Sequence, residues 1–317
     1  MTQVRGISDQ DIRRMLSVGF PSREELLESL LRELKPAWLE ERLVQRNLFR
    51  AIVASPNRVV IGLQGMMRLQ VCAYGFALIV SVRGESAAER QIAYDQVADM
   101  LEWAVGDVIS YWAHTDAEKV VSEDPCCVLD REFSGGVFDC LTEFQRTMGG
   151  ALYESAASWL FCHELARLKI SQDREAGSEF LPIQPEADRM VLEWLLESSS
   201  QTEEGNCRTR DYIMKCGIML AIIWLTVEDA FRGLREPLDN AKAYARLLGV
   251  LDEISQNDNG GEFPSILALG AVMLRIVMRQ NQFQFDHSDT AILLCKPREH
   301  VARLIDRILR SERRTGP

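Results

Sequence analysis

The chain has 317 residues, 47% of them hydrophobic, enough to bury a large core in one big domain or two ordinary ones, and one compact body is expected. Lys and Arg total 36 against 47 Asp and Glu, a net charge of −11, which argues against attraction to phosphate backbones and removes nucleic acid as the default partner. The 8 cysteines contain no CxxC pair and several lie inside apolar runs, the pattern of a reducing cytoplasm.

The amino terminus, MTQVRGISDQDIRRML, has no apolar stretch followed by small residues of the kind a secretory signal needs, so the whole chain is expected to be the mature protein. Up to about Arg50, Leu26, Leu27, Leu30, Leu31 and Leu34 recur at helical spacing with Pro36 as a stop, predicting a helical preface. Val59, Val60 and Ile61 then form a β-branched run that leads into a glycine-punctuated apolar helix ending near Arg83 and Gly84. The spacing of Ile92, Val97, Met100, Leu101, Trp103, Ala104 and Val108 predicts a further helix over 87–114, and the stretch 115–140 breaks that pattern with Asp124, Pro125, Gly135 and Gly136.

A motif-bearing helix follows over 152–170, then helices over 185–197, 208–231, 240–254, 264–278 and 299–310, separated by polar turn material such as SSSQTEEGN and SQNDNGGEFP. Two segments, 69–82 and 216–227, are greasy, but both fall short of the roughly 20 residues a membrane span requires and both are bracketed by charge. They read as buried core helices, and no transmembrane segment is expected.

The motif helix carries His163, Glu164, Leu165, Ala166 and Arg167. Apolar spacing through Ala156, Trp159, Leu160, Ala166 and Ile170 places His163 and Arg167 on the face that carries the bulky hydrophobes, so His163 points inward. In an HExxH helix two histidines at i and i+4 approach one zinc ion, and the glutamate serves as general base on the metal-bound water. Here Arg167 stands where the second histidine would be. A guanidinium has donors only and stays protonated, so it offers a cation no lone pair.

The following helix, FLPIQPEADRMVLEWLL, resembles the ExEAD signature of several zincin families. The strand and helix in NRVVIGLQGMMRL are similar to the start of such domains, and CKPREHVARLIDRI is similar to their late HPxxxxR segment, with Lys296 in the histidine's place, Pro297 retained and Arg303 loosely placed. The families are the HtpX-type peptidases and, among soluble proteins, the phage-exclusion Lit-type peptidases; the lack of membrane spans makes the Lit-like branch the better comparison. The resemblance, spread over roughly residues 57–310, implies a third metal ligand at the position of Gln184 and support of His163 by Asp188, with Glu186 and Ala187 matching between them.

Of the three implied ligand positions, His163, Arg167 and Gln184, only the first is a strong donor. A rescue would draw on Asp188, Glu186 or Cys162, or on His114, His287 or His300. A simpler arrangement has the guanidinium of Arg167 take the cation's place and pair with Asp188, Glu186 or Glu164, joining two helices where a metal once did, because burying it alone would cost several kcal/mol. No GxSxG, GxxxxGK[ST] or GxGxxG pattern occurs, the double glycines in FSGGVF and DNGGEF need only turn geometry, and Cys126–Cys127 has no base beside it in sequence.

The expected fold is a mostly helical α+β domain of zincin type, residues 57–317, with a small sheet and a helical extension over 1–56. The leading functional expectation is a cytoplasmic, degenerate metallopeptidase homologue without a cofactor that binds a protein partner, in a bacterial or phage conflict system by family analogy. Two alternatives stand beside it. One is a working zinc peptidase with Glu164 as base and His163 plus an acidic residue on the metal; the other is a helical scaffold unrelated to zincins.

Overall fold

The computed structural model describes residues 8–20, 23–41, 51–55, 57–81, 86, 88, 97, 100, 141–173, 183–196, 206–232, 249–250 and 253–254. The chain divides into two compact units, Met1–Tyr74 with Ala117–Ala221 and Gly75–Asp116 with Ile222–Pro317. Six helices and a three-stranded sheet make up most of the regular structure among the described residues, so the fold is mostly helical α+β.

Two amphipathic helices come first, α1 (Asp9–Gly19) and α2 (Glu24–Leu34). Ser8 caps α1 reciprocally: its hydroxyl accepts from the Asp11 amide at 3.2 Å, and its own amide donates to the Asp11 carboxylate at 3.0 Å. The apolar stripes, Ile12, Met15 and Leu16 on α1 and Leu27, Leu30 and Leu34 on α2, are buried. Pro36 does mark the end of α2, with Lys35 before it in the left-handed conformation at φ 44° and its amide returning to Leu31 at 3.0 Å.

The sheet follows: β1 (Ala37–Glu41), β2 (Ala51–Ser55) and β3 (Arg58–Gly62) in the order β1-β3-β2. β1 runs parallel to β3 and β2 antiparallel to it. The β-branched run is therefore the central strand, but β1 falls within the stretch whose spacing predicts helix. Its residues, Trp38 and Leu39 followed by two glutamates, are acceptable to a helix, and pairing with a strand about twenty positions downstream decides the matter. β3 passes directly into α3 (Leu63–Ser81), the buried apolar helix expected from the sequence.

The motif helix α4 (Glu143–Asp173) is longer than its apolar spacing suggests and runs through the middle of the first unit. Every residue from Ser155 to Ala166 is buried. Such a helix is covered on all sides: α1, α2, β2 and α5 (Ile183–Leu196) pack against it. Trp38 of β1 meets Phe161 edge-on at 5.6 Å. α6 (Asn206–Arg232) approaches so closely at Gly217 that a Cβ there would collide with the backbone of Ser155 and Ala156. No described helix is long and apolar enough to cross a membrane.

Of the remaining expected helices, Ala88, Val97 and Met100, and later Gly249, Val250, Glu253 and Ile254, are helical; the segments 264–278 and 299–310 lie outside the described residues.

Candidate functional site

Deep burial of α4 places two ionisable side chains, His163 and Glu164, where water does not reach; each is 1% exposed. Burying a charge or a strong acceptor costs several kcal/mol unless partners replace its hydration. Two partners come from α4 itself and one from α5. His163 Nδ1 lies 3.1 Å from Glu164 Oε1, and Arg167 Nη1 donates to the other carboxylate oxygen, Oε2, at 2.8 Å. From α5, the Asp188 carboxylate, 4% exposed, brings Oδ1 to 3.3 Å from His163 Nε2. The four side chains form a chain of contacts: Asp188, His163, Glu164, Arg167.

Sequence order explains which helix each comes from. His163 and Arg167 are one turn apart on α4, and Glu164 and Arg167 are related by i, i+3, the spacing at which helical side chains meet. Asp188 sits just inside α5, where its neighbours Ala187 and Val191 are also buried. Glu186 is exposed, and Gln184 lies in the first turn of α5. Lys296, Pro297 and Arg303, together with His114, His287 and His300, lie outside the described residues.

The arginine differs from its expectation in one respect. Its partner is Glu164, one of the three acids open to it, so the ion pair stays within α4 and does not bridge helices. The bridge to α5 is the contact of His163 with Asp188. The Arg167 side chain keeps 26% of its surface exposed, so the pair lies at the edge of the buried region.

Trp159, one turn before His163, stacks on the imidazole with ring centroids 5.2 Å apart and planes at 16°. Its i, i+4 relation to His163 was the available signal, although an aromatic on an apolar stripe reads first as core. Cys162 is fully buried, and desolvation pushes its thiol up to about 12. It remains a thiol and is not a ready metal ligand or nucleophile.

Among the described residues, the surroundings of His163 are those of an ion-pair network. A histidine that ligates zinc gives one ring nitrogen to the metal and the other to an orienting acceptor, whereas here both nitrogens face carboxylate oxygens. The second imidazole position carries a permanently protonated group directed at the glutamate. Among the described residues no cluster of three or more His, Cys, Asp or Glu side chains is disposed to hold a metal ion. The arrangement fixes a guanidinium at the edge of a buried polar network.

Comparison with family models, curated proteins and solved structures returned no match to this chain.

Proposed function

We propose that this chain is a degenerate zincin-type protein, similar in kind to the soluble Lit-like peptidases, that acts by binding a protein partner in a bacterial or phage conflict system. The observation that carries the reading is the engagement of His163 on both sides, by Glu164 and Asp188, with Arg167 closing the second oxygen of Glu164. The residue a peptidase would use as general base is thereby committed to a histidine and an arginine of its own helix. The helix bearing it lies against a strand, as the reading requires, since β2 packs on α4.

Two measurements on the full-length protein test this. Metal content after purification without chelators is expected to fall well below one zinc per chain. In cells, Glu164→Gln, in a protein that still folds, is expected to preserve whatever effect the wild-type protein has, because the amide keeps the shape while removing the base and the charge that pairs with Arg167. Stoichiometric zinc held by His163, or loss of the effect with Glu164→Gln in a protein that still folds, would establish the peptidase alternative instead.

A further inference from the structure

α4 and α5 meet at two levels. At the first, His163 faces Asp188 directly. At the second, α1 intervenes: a Cβ added to Gly19, the last residue of α1, would come within 2.5 Å of both Ser158 Oγ on α4 and Leu195 Cδ2 on α5. From the first level to the second the numbering falls along α4 and rises along α5, so the helices run in opposite directions. Asp188 and Leu195, at i and i+7, share one face of α5.

Three elements converge on this end of α1. Beside the contacts of Gly19, the next residue, Phe20, is 0% exposed and meets Trp194 of α5 with ring centroids 6.2 Å apart. Arg210 of α6 donates from Nη2 to the carbonyl of Val18 at 3.3 Å, satisfying one of the acceptors a helix leaves open at its carboxyl end. The main chain at Gly19 therefore fills a gap in which no side chain fits without displacement.

We propose that Gly19 and Phe20 position Asp188 on His163: the carboxyl end of α1 is the spacer that sets the separation of α4 and α5, and through it the His163–Asp188 contact. Both are positioning residues, acting through the helices on which the two members of the contact lie. The inference stands apart from the function proposed above, because the spacer governs the network whether it serves a partner or a metal. It also makes the amino-terminal helices part of the frame of the site.

The test is spectroscopic, on the full-length ¹⁵N-labelled protein. Long-range imidazole spectra report all 4 histidines; the His163 signals are those missing in His163→Gln, and Asp188→Asn gives their position when the carboxylate's charge is removed. Gly19→Ala is expected to move the His163 signals toward that position while the other histidines stay in place. Adding Ser158→Ala and Leu195→Ala, which delete the two atoms a Cβ would meet, is expected to return them. If Gly19→Ala lowers the melting temperature, or leaves it unchanged, without moving the His163 signals, the residue is structural only and the proposal fails. Should Gly19→Ala not fold, Phe20→Leu, which keeps an apolar side chain and loses the ring contact with Trp194, is read by the same signals with the same two outcomes.

Discussion

Glu164 and Lys169 both lie on α4, and each meets an opposite charge at almost the same distance: 2.8 Å from Glu164 to Arg167, 2.9 Å from Lys169 to Glu33. Their surroundings differ. Glu164 is 1% exposed, whereas the side chains of Lys169 and Glu33 keep 28% and 47% of their surface. Water screens the second pair, so its net worth is about 0–1 kcal/mol. The carboxylate of Glu164 has given up its hydration and depends on His163 and Arg167 to replace it, so removing a partner exposes a desolvation cost of about 3 kcal/mol or more. Contact distance alone would rank the two pairs as equals; burial separates them.

The largest expected effect comes from breaking the buried network at its centre. His163→Leu leaves Glu164 and Asp188 facing an alkyl group, and unfolding free energy from urea titration is expected to fall by about 3 kcal/mol. Replacing His163, Glu164, Arg167 and Asp188 together by apolar residues of similar size is expected to recover most of that loss, because no buried charge is then left without compensation. A single substitution costing less than about 1 kcal/mol would place the network in the same class as the surface pairs. Arg167→Met should come next, at about 2 kcal/mol, since Glu164 keeps its histidine and loses one charge-assisted hydrogen bond.

How far the sequence reveals these features depends on how local their causes are. The stripes of α1 and α2 and the β-branched run of β3 declare themselves by period and composition, because one face is buried and the pattern repeats within the element. β1 does not, since its partner lies downstream across a second strand. On α4 the i, i+3 and i+4 relations of His163, Glu164 and Arg167 are legible, but the central turns are covered on every side, so periodicity cannot say that Arg167 reaches the rim while His163 does not. The meeting of His163 with Asp188 follows from no spacing within one helix; the resemblance to zincin motifs pointed to it. Nothing in the sequence alone singles out Gly19, and only the meeting of helices at the close of α1 gives its missing side chain a purpose.

The smallest effect belongs to the surface pair, and pH makes it separable. Lys169→Met is expected to change unfolding free energy by less than about 1 kcal/mol at neutral pH. The hydrogen bond to Glu33 holds the Lys169 ammonium above its ordinary value of 10.5; desolvation opposes it, and the charges of Asp173 and Glu33 add to it. A raised value in the folded state means that the contribution is fully present below 10.5 and is lost as pH rises through the folded value. Alkali will also act on the buried groups: desolvation raises Tyr153 beyond its usual range and pushes Cys72 up to about 12, so the wild-type curve alone would mix several causes. The difference between wild type and Lys169→Met removes them, since both proteins carry the same phenols and thiols. That difference is expected to stay constant up to about pH 10 and to shrink above it. The same difference taken for Glu33→Gln should track it, because the two residues form one pair. Two curves that diverged, with Lys169→Met alone showing the loss at high pH, would mean that Lys169 draws its support from Asp173 and that the link between α2 and α4 at this position contributes nothing, whereas a difference that grew with pH would contradict a raised folded value altogether.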